Sequence, residues 1–322
     1  MMKTKKNKLK LTILAYAAIF VILYIIIYIV PRVSGIFLET YTAEYGLLEV
    51  SAESTFVTVR DERLCTADNS GTVSRIVSQG KLMRRSSHIV DVGGIKHYSP
   101  QKGIISYYYD GLEAVYTPEN MQSITEETAA KIKEKAEEYK VRECEANSVQ
   151  AGQPIFKVVD NNEWYLVCWL EADEAAGCDP GKSITAEFSD GQQIKMKVLQ
   201  SNAQGEKTQL ILSCNRYYEK FDRIRTGTCR LIKSSRSGII LESDSIVEED
   251  GVKGVYVMSK RLDKASFVPV SILLTDGEKT VVEKNYFMDE KGEKVVTVKN
   301  YDEILKKPET AETTKGSEKN AD

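Results

Sequence analysis

Ala176-Gly177-Cys178-Asp179-Pro180-Gly181-Lys182-Ser183 has the outline of a phosphate-binding loop, with alanine at the first glycine position. Such a loop points backbone N–H groups at phosphates and must open a helix. Here the following Ser183-Ile184-Thr185-Ala186-Glu187-Phe188 has the alternation of a strand, and Pro180 removes one of the N–H groups. A turn between strands is expected there, with no nucleotide. The two histidines, His88 and His97, stand in no spacing that makes a triad with a serine, cysteine or carboxylate. Glu171, Asp173 and Glu174 read as a solvated turn. The six cysteines (Cys65, Cys144, Cys168, Cys178, Cys214, Cys229) form no CxxC pair and no zinc spacing. Cys168 lies inside the apolar run Trp164 to Leu170 and is expected to be a buried free thiol. No catalytic residue, cofactor-binding residue or metal ligand can be named, and the chain is expected not to be an enzyme.

Lys195-Met196-Lys197 resembles the carrier site of biotin- or lipoate-carrying domains, where the lysine sits at a hairpin tip between methionines. This stretch alternates instead, Ile194, Met196 and Val198 against the two lysines, as a half-buried strand does. No cofactor is expected. Tyr107-Tyr108-Tyr109 before Asp110-Gly111 is the one candidate contact. Exposed tyrosines anchor protein partners, and at strand spacing Tyr107 and Tyr109 share a face that equally suits the core.

These residues sit within a repeated framework. Ala67-Asp68-Asn69-Ser70-Gly71-Thr72-Val73-Ser74 is echoed by Ser99-Pro100-Gln101-Lys102-Gly103-Ile104-Ile105-Ser106. The first copy closes at Ser87 to Val92, and the second resumes at Ser148 to Asp160. Two such β-units bury little alone and are expected to pair into one sandwich. Ser123 to Glu143 reads as the one soluble helix. Ser123 and Glu126 would form its capping box, and a thin apolar face (Ile124, Ile132, Ala136, Tyr139) would leave it a solvated surface connector. Residues 161–232 show short strands and glycine turns at barrel spacing. Residues 233–305 continue in strands, and residues 306–322 have the composition of a disordered tail.

At the N-terminus, lysines crowd residues 1–10, and an apolar run with no charge covers residues 11–31. Its length suits a bilayer span of about 20 residues rather than a signal-peptide core. Val30-Pro31-Arg32-Val33 is a poor cleavage site. The expectation is a single-pass cell-membrane protein with its N-terminus cytoplasmic. A juxtamembrane segment, 32–58, would lead to an extracytoplasmic body. No basic, aromatic-rich patch points to nucleic acid.

The order of these pieces resembles the HlyD-type membrane fusion proteins, over most of Val59 to Val282. The split half-motif at 59–160 is similar to their lipoyl-like domain, with Gly152-Gln153-Pro154-Ile155-Phe156-Lys157-Val158 as its second-half signature. Trp164 to Arg230 resembles their β-barrel. Gly254-Val255-Tyr256-Val257 with Phe267-Val268-Pro269-Val270 resembles their membrane-proximal domain. The resemblance implies a mainly β fold: transmembrane helix, lipoyl-like sandwich with one inserted helix, small antiparallel barrel, and β-rich membrane-proximal domain. It also implies an efflux or secretion adaptor that forms homo-oligomers and meets an inner-membrane transporter of ABC or similar type. Envelope or division scaffolds are the other class of partner considered. Two departures stand out. Only Gly93 to Tyr98 lies where family members that dock an outer-membrane duct carry a helical hairpin, which favours a single-membrane setting. In addition, Gly80-Lys81-Leu82-Met83-Arg84-Arg85-Ser86-Ser87 lacks the usual second glycine.

Overall fold

The computed structural model describes residues 19–24, 39–135, 138–216, 222–259 and 264–306. The chain divides into unit 1 (residues 1–49 and 235–322) and unit 2 (residues 50–234). In chain order, β1 (Thr40–Thr42) leads into the 23-residue β2 (Glu44–Thr66). Then come β3 (Gly71–Arg75), β4 (Leu82–Met83), β5 (His88–Val92), β6 (Ile95–Tyr98) and β7 (Gly103–Ser106). An insertion follows, with β8 (Tyr108–Tyr109), helix α1 (Glu126–Glu134) and β9 (Arg142–Glu143), before β10 (Ser148–Val149). The long β11 (Pro154–Glu171) precedes β12 (Ser183–Phe188), β13 (Gln193–Gln204), β14 (Lys207–Cys214) and β15 (Thr226–Glu242). The chain continues through β16 (Val247–Glu249), β17 (Val252–Ser259), β18 (Lys264–Pro269) and β19 (Ile272–Thr275). It ends in β20 (Lys279–Val282), β21 (Tyr286–Met288), β22 (Lys294–Val296) and β23 (Glu303–Leu305).

The two half-motifs close one sandwich in unit 2. One layer runs β10-β3-β5-β6, and the other sets β4 and β7 beside the first half of β11. Val73, Ile89, Val90, Val92, Ile105, Val149, Ile155 and Phe156 fill the space between them. The equivalent glycines of the two halves serve close backbone approach. A Cβ on Gly71 would lie 2.6 Å from the Gly93 Cα, and one on Gly103 would lie 2.4 Å from the Val159 carbonyl oxygen. The missing second glycine is replaced in kind: Ser86 takes φ 63°, where Gly152 of the other half takes φ 84°. The halves are joined by Gly93-Gly94, both at positive φ, in the two-residue turn that β5 and β6 require.

Sandwich and barrel share strands. The far end of β2 pairs with β11 at Glu62↔Val159 in the sandwich, and its middle pairs at Val57↔Val167 in the barrel, with a register shift between Val159 and Trp164. The second half of β11 is apolar on both faces because both are covered. Leu166, Cys168 and Leu170 point into the barrel core with Met196, Leu210 and Leu231. Val167 and Trp169 point outward, under α1, together with Val57, Val59 and Ile211.

Helix α1 corrects the sequence expectation in extent, cap and role. It runs Glu126–Glu134, and its capping box is Thr125 with Thr128 rather than Ser123 with Glu126. Ile124 is extended and buried, and its carbonyl accepts a hydrogen bond from Gln209 Nε2 at 2.6 Å, which draws it out of the helix. Ser123 instead ends a 3₁₀ turn, with its hydroxyl donating to the Asn120 carbonyl. Ala129 and Ile132 are buried, so the helix covers a sheet face; it is no solvated connector. Arg142–Glu143, expected at its end, forms β9 opposite Tyr108–Tyr109.

Unit 1 is a second small β-body. Its sheet runs β1-β23-β17-β16, with β18 beside β17 at Val255↔Val268 and Tyr256↔Phe267. The last residues of β15 pair with β20. Its core holds Ala43, Ile239, Leu241, Val255, Val270, Val282, Val298 and Ile304. Residues 39–49, assigned above to a juxtamembrane segment, therefore belong to this body. Residues 19–24 are helical, and the rest of the expected span 11–31 lies outside the described residues. Among the described residues no helix is long and apolar enough to cross a membrane. The expected tail also lies outside them beyond Lys306.

Candidate functional site

The densest polar chemistry in unit 2 is a buried ion cluster where sandwich meets barrel. β2 supplies Arg60 and Glu62, alternate residues on one face of the strand. The insertion supplies Asp110 and Glu113, β11 supplies Lys157, and the turn before β15 supplies Asp222 and Arg225. All seven are at most 7% exposed. Arg225 grips two carboxylates: it donates to Glu62, and its Nε lies 2.9 Å from Asp110 Oδ2. Its Nη1 donates to the Thr58 carbonyl at 3.1 Å. Lys157 Nζ lies 2.8 Å from Glu62 Oε2 and 3.5 Å from Glu113 Oε1. Arg60 Nε stands 3.4 Å from Glu62 Oε2, and its Nη1 donates to the Ile224 carbonyl.

The other carboxylates are also occupied. Glu113 receives the backbone N–H groups of Asp110 (2.8 Å) and Gly111 (3.0 Å). Asp222 accepts from Ser106 Oγ at 2.5 Å and from Gln79 Nε2 at 2.8 Å. The half-exposed Arg223 lies 3.9 Å from Asp222 and stacks over the Tyr108 ring. Counting Arg223, four cations face four carboxylates, so the cluster is balanced.

Electrostatics follow from this geometry. Burial alone would raise the Glu62 carboxyl, but Arg225, Arg60 and Lys157 outweigh it and hold the group well below the usual carboxylate range. Burial likewise opposes ionisation of Asp110, and Arg225 and Lys157 win there too. Arg225 is raised, since its carboxylate partners outweigh the cost of its own burial. The cluster is enclosed and its charges are paired with one another, so it offers no reacting group to a substrate. What it can do is fix an angle: sandwich, insertion and barrel each contribute charge, and none can separate without stranding a buried ion.

The residues singled out in sequence lie elsewhere. Tyr107 is 2% exposed, and its hydroxyl donates to the Val77 carbonyl at 2.6 Å while the Arg75 guanidinium covers its ring. Burial pushes it up to about 12. It is a core residue, which removes it as a partner contact. A bend at Tyr107 breaks the strand, so Tyr109 does not share its face; Tyr109 is half-buried opposite Arg142. In the loop at 176–183, the Gly181 N–H is spent on the Val198 carbonyl, Lys182 pairs with Asp179 at 2.6 Å, and Ser183 opens a strand. Met196 is buried within β13, so Lys195 and Lys197 lie mid-strand rather than at a hairpin tip. His88 pairs with Asp91 at 2.7 Å, and His97 lies 3.6 Å from Asp68. All six cysteines are free thiols, and Cys168 is fully buried. Among the described residues no three His, Cys, Asp or Glu side chains gather as a metal site would need.

Sequence reasoning missed the ion cluster. Its members come from four distant segments, and each reads alone as surface charge. A faint signal was present: Lys157 interrupts the apolar run Ile155 to Val159, a place where a lysine needs a buried partner.

Comparison with curated proteins finds no match. Among solved structures, MacA from Actinobacillus actinomycetemcomitans is 10% identical, with 83% of this chain and 99% of that one covered and a TM-score of 0.35. ZneB from Cupriavidus metallidurans is 9% identical over 84% of this chain and 92% of that one, with a TM-score of 0.27. The membrane fusion protein Spr0693 from Streptococcus pneumoniae R6 is 10% identical over 58% of this chain and 98% of that one, with a TM-score of 0.27. Overlaps this loose carry no argument; the domain families do. Residues 62–160 match the RND-related barrel-sandwich hybrid domain, and residues 164–235 match the RND-related β-barrel domain, the sandwich and barrel joined here by β2 and β11. The chain thus carries an RND-related barrel-sandwich hybrid domain followed directly by an RND-related β-barrel domain.

Proposed function

We propose that this protein is a membrane-anchored, extracytoplasmic adaptor that assembles with itself and with a membrane transporter in efflux or secretion. The observation that carries the reading is the succession of the two RND-related domains on through-running strands. The anchor would tether the chain through residues 11–31, and the transporter would be of ABC or similar type. The ion cluster supports a mechanical role, since a rigid sandwich–barrel angle transmits position. Tyr109, still half-exposed, remains a candidate contact with a neighbour. The test is affinity purification of the full chain from cross-linked native membranes. Recovery of a transporter subunit is expected, and its consistent absence, with the protein itself recovered, would overturn the reading.

A second reading, an envelope or division scaffold that keeps the adaptor fold, is favoured by one feature. Gly93-Gly94 closes the sandwich tip in a tight turn, leaving no hairpin to reach a distant duct. Imaging separates the two: a midcell band supports the scaffold, while uniform membrane signal with a transport defect on deletion supports the adaptor.

A further inference from the structure

Outside residues 19–24, unit 1 carries eight exposed large apolar side chains and unit 2 carries six, although unit 2 has more than twice as many described residues. The excess centres on the β21–β22 ribbon. Tyr286 (48% exposed) and Val296 (62%) are directly opposed across the ladder, and Met288 (61%) lies two residues along the same face. Phe287 and Val295 occupy the other face and are half-buried. The ribbon is thus apolar on both sides, where a solvated hairpin needs only one. Lys294 Nζ lies 4.0 Å from the Tyr286 ring centroid, and Lys284 Nζ lies 4.5 Å from that of Tyr45, another exposed aromatic.

We propose that the outer face of this ribbon, Tyr286, Met288 and Val296 with Lys294, rests in the interfacial layer of the bilayer that holds the anchor. The inference depends on the anchored reading above. Three observations select a bilayer over a protein. The composition is interfacial: tyrosine favours the headgroup zone, and lysine stems lie along apolar surface with their charge in water. The patch is small: three partly exposed side chains present on the order of 300 Å², well under the ~800 Å² per partner of a stable protein interface. The tether is short: the chain between Pro31, the end of the expected span, and Glu39 reaches at most about 29 Å. Between Glu283 and Lys299, four lysines balance four acids, so the contact needs no anionic lipid.

The test uses the full chain in phosphatidylcholine nanodiscs, with Met288→Cys labelled by an environment-sensitive fluorophore and the background labelling of the parent protein subtracted. A second variant, Val296→Cys, guards against a local folding defect, and Asn202→Cys in unit 2 is the control. Blue-shifted emission at 288 and 296, with quenching by shallow lipid nitroxides at least threefold above that at 202, is the expected result. Equal quenching at all three sites would overturn the inference. So would a blue shift without lipid quenching that grows with protein density, which marks contact with a second copy. Carbonate washing of native membranes separates the two readings. Protein shed by carbonate defeats the anchor, whereas retained protein with an unquenched ribbon defeats only this inference.

Discussion

Replacing Arg225 by methionine keeps most of the side-chain volume and removes the cation that bridges Glu62 and Asp110. In the wild type these carboxylates are buried and ionised, and Asp110 takes two of Arg225's donors, Nε at 2.9 Å and Nη2 at 3.2 Å. After substitution Glu62 keeps Arg60 and Lys157, but Asp110 keeps the Leu112 N–H and only the weaker fields of Lys157 and Arg60. Removing one partner of a buried pair costs about 3–5 kcal/mol, because the other charge is left without compensation. Against a typical stability of about 5–15 kcal/mol, that is a large fraction. Trp164 and Trp169, the only tryptophans, both lie in the barrel, so urea denaturation followed by intrinsic fluorescence reads this unit directly. With a slope near 2–3 kcal/mol/M, the midpoint should fall by about 1–2 M at pH 7.

The pH dependence supplies a second, independent reading. Glu62 and Asp110 titrate lower in the folded protein than in the unfolded chain, so the unfolded state binds protons first as pH falls. Their stabilisation is full above about pH 5 and is lost as pH drops through the unfolded carboxylate range toward the folded values. The difference between wild type and Arg225→Met should therefore be widest near neutrality and shrink on acidification. Adding Asp110→Asn to Arg225→Met should recover about 1 kcal/mol or more, since the stranded charge is removed. A midpoint unmoved at pH 7, or a gap that widens in acid, would refute the account of this cluster as a charge-locked joint.

Two further outcomes follow from the sandwich and the cysteines. Ser86→Gly should stabilise the protein by about 0.5–1 kcal/mol by relieving a left-handed residue, and Gly152→Ala, at the equivalent place, should destabilise it by about 1–2 kcal/mol; thermal melts of the pair check both signs. Burial pushes the Cys144 thiol up to about 12 and the Cys65 thiol up to about 11, so maleimide at pH 8 should leave both unmodified in the native state and label six thiols in urea, as read by intact mass.

What could be read from the chain was whatever its local periodicity encodes. The two half-motifs announce themselves because close backbone approach at Gly71 and Gly103 admits no side chain, and such a constraint writes glycine into the sequence wherever it recurs. Alternation in Ile194 to Val198 gave a strand, and the Gly254 and Phe267 runs pair as neighbours in unit 1. The helix boundary was legible only in outline. Ser123 and Thr125 are both competent caps, and the choice fell to Ile124, whose burial beneath the barrel's outer face outweighs one more helical turn.

The sequence by itself determined the β architecture, the twofold sandwich and the order of its domains, because glycine turns and period-two patterns are local signals. Only the tertiary structure decided that the sandwich and barrel ride on shared strands, that Tyr107 belongs to the core, and that seven charged residues from distant segments meet out of water. Ion pairing depends on distance in space and on the solvent excluded between groups. Neither quantity has a period along the chain, so Arg60 and Arg225 look in sequence like any other surface charge, and only Lys157, set in an apolar run, hints at a buried partner.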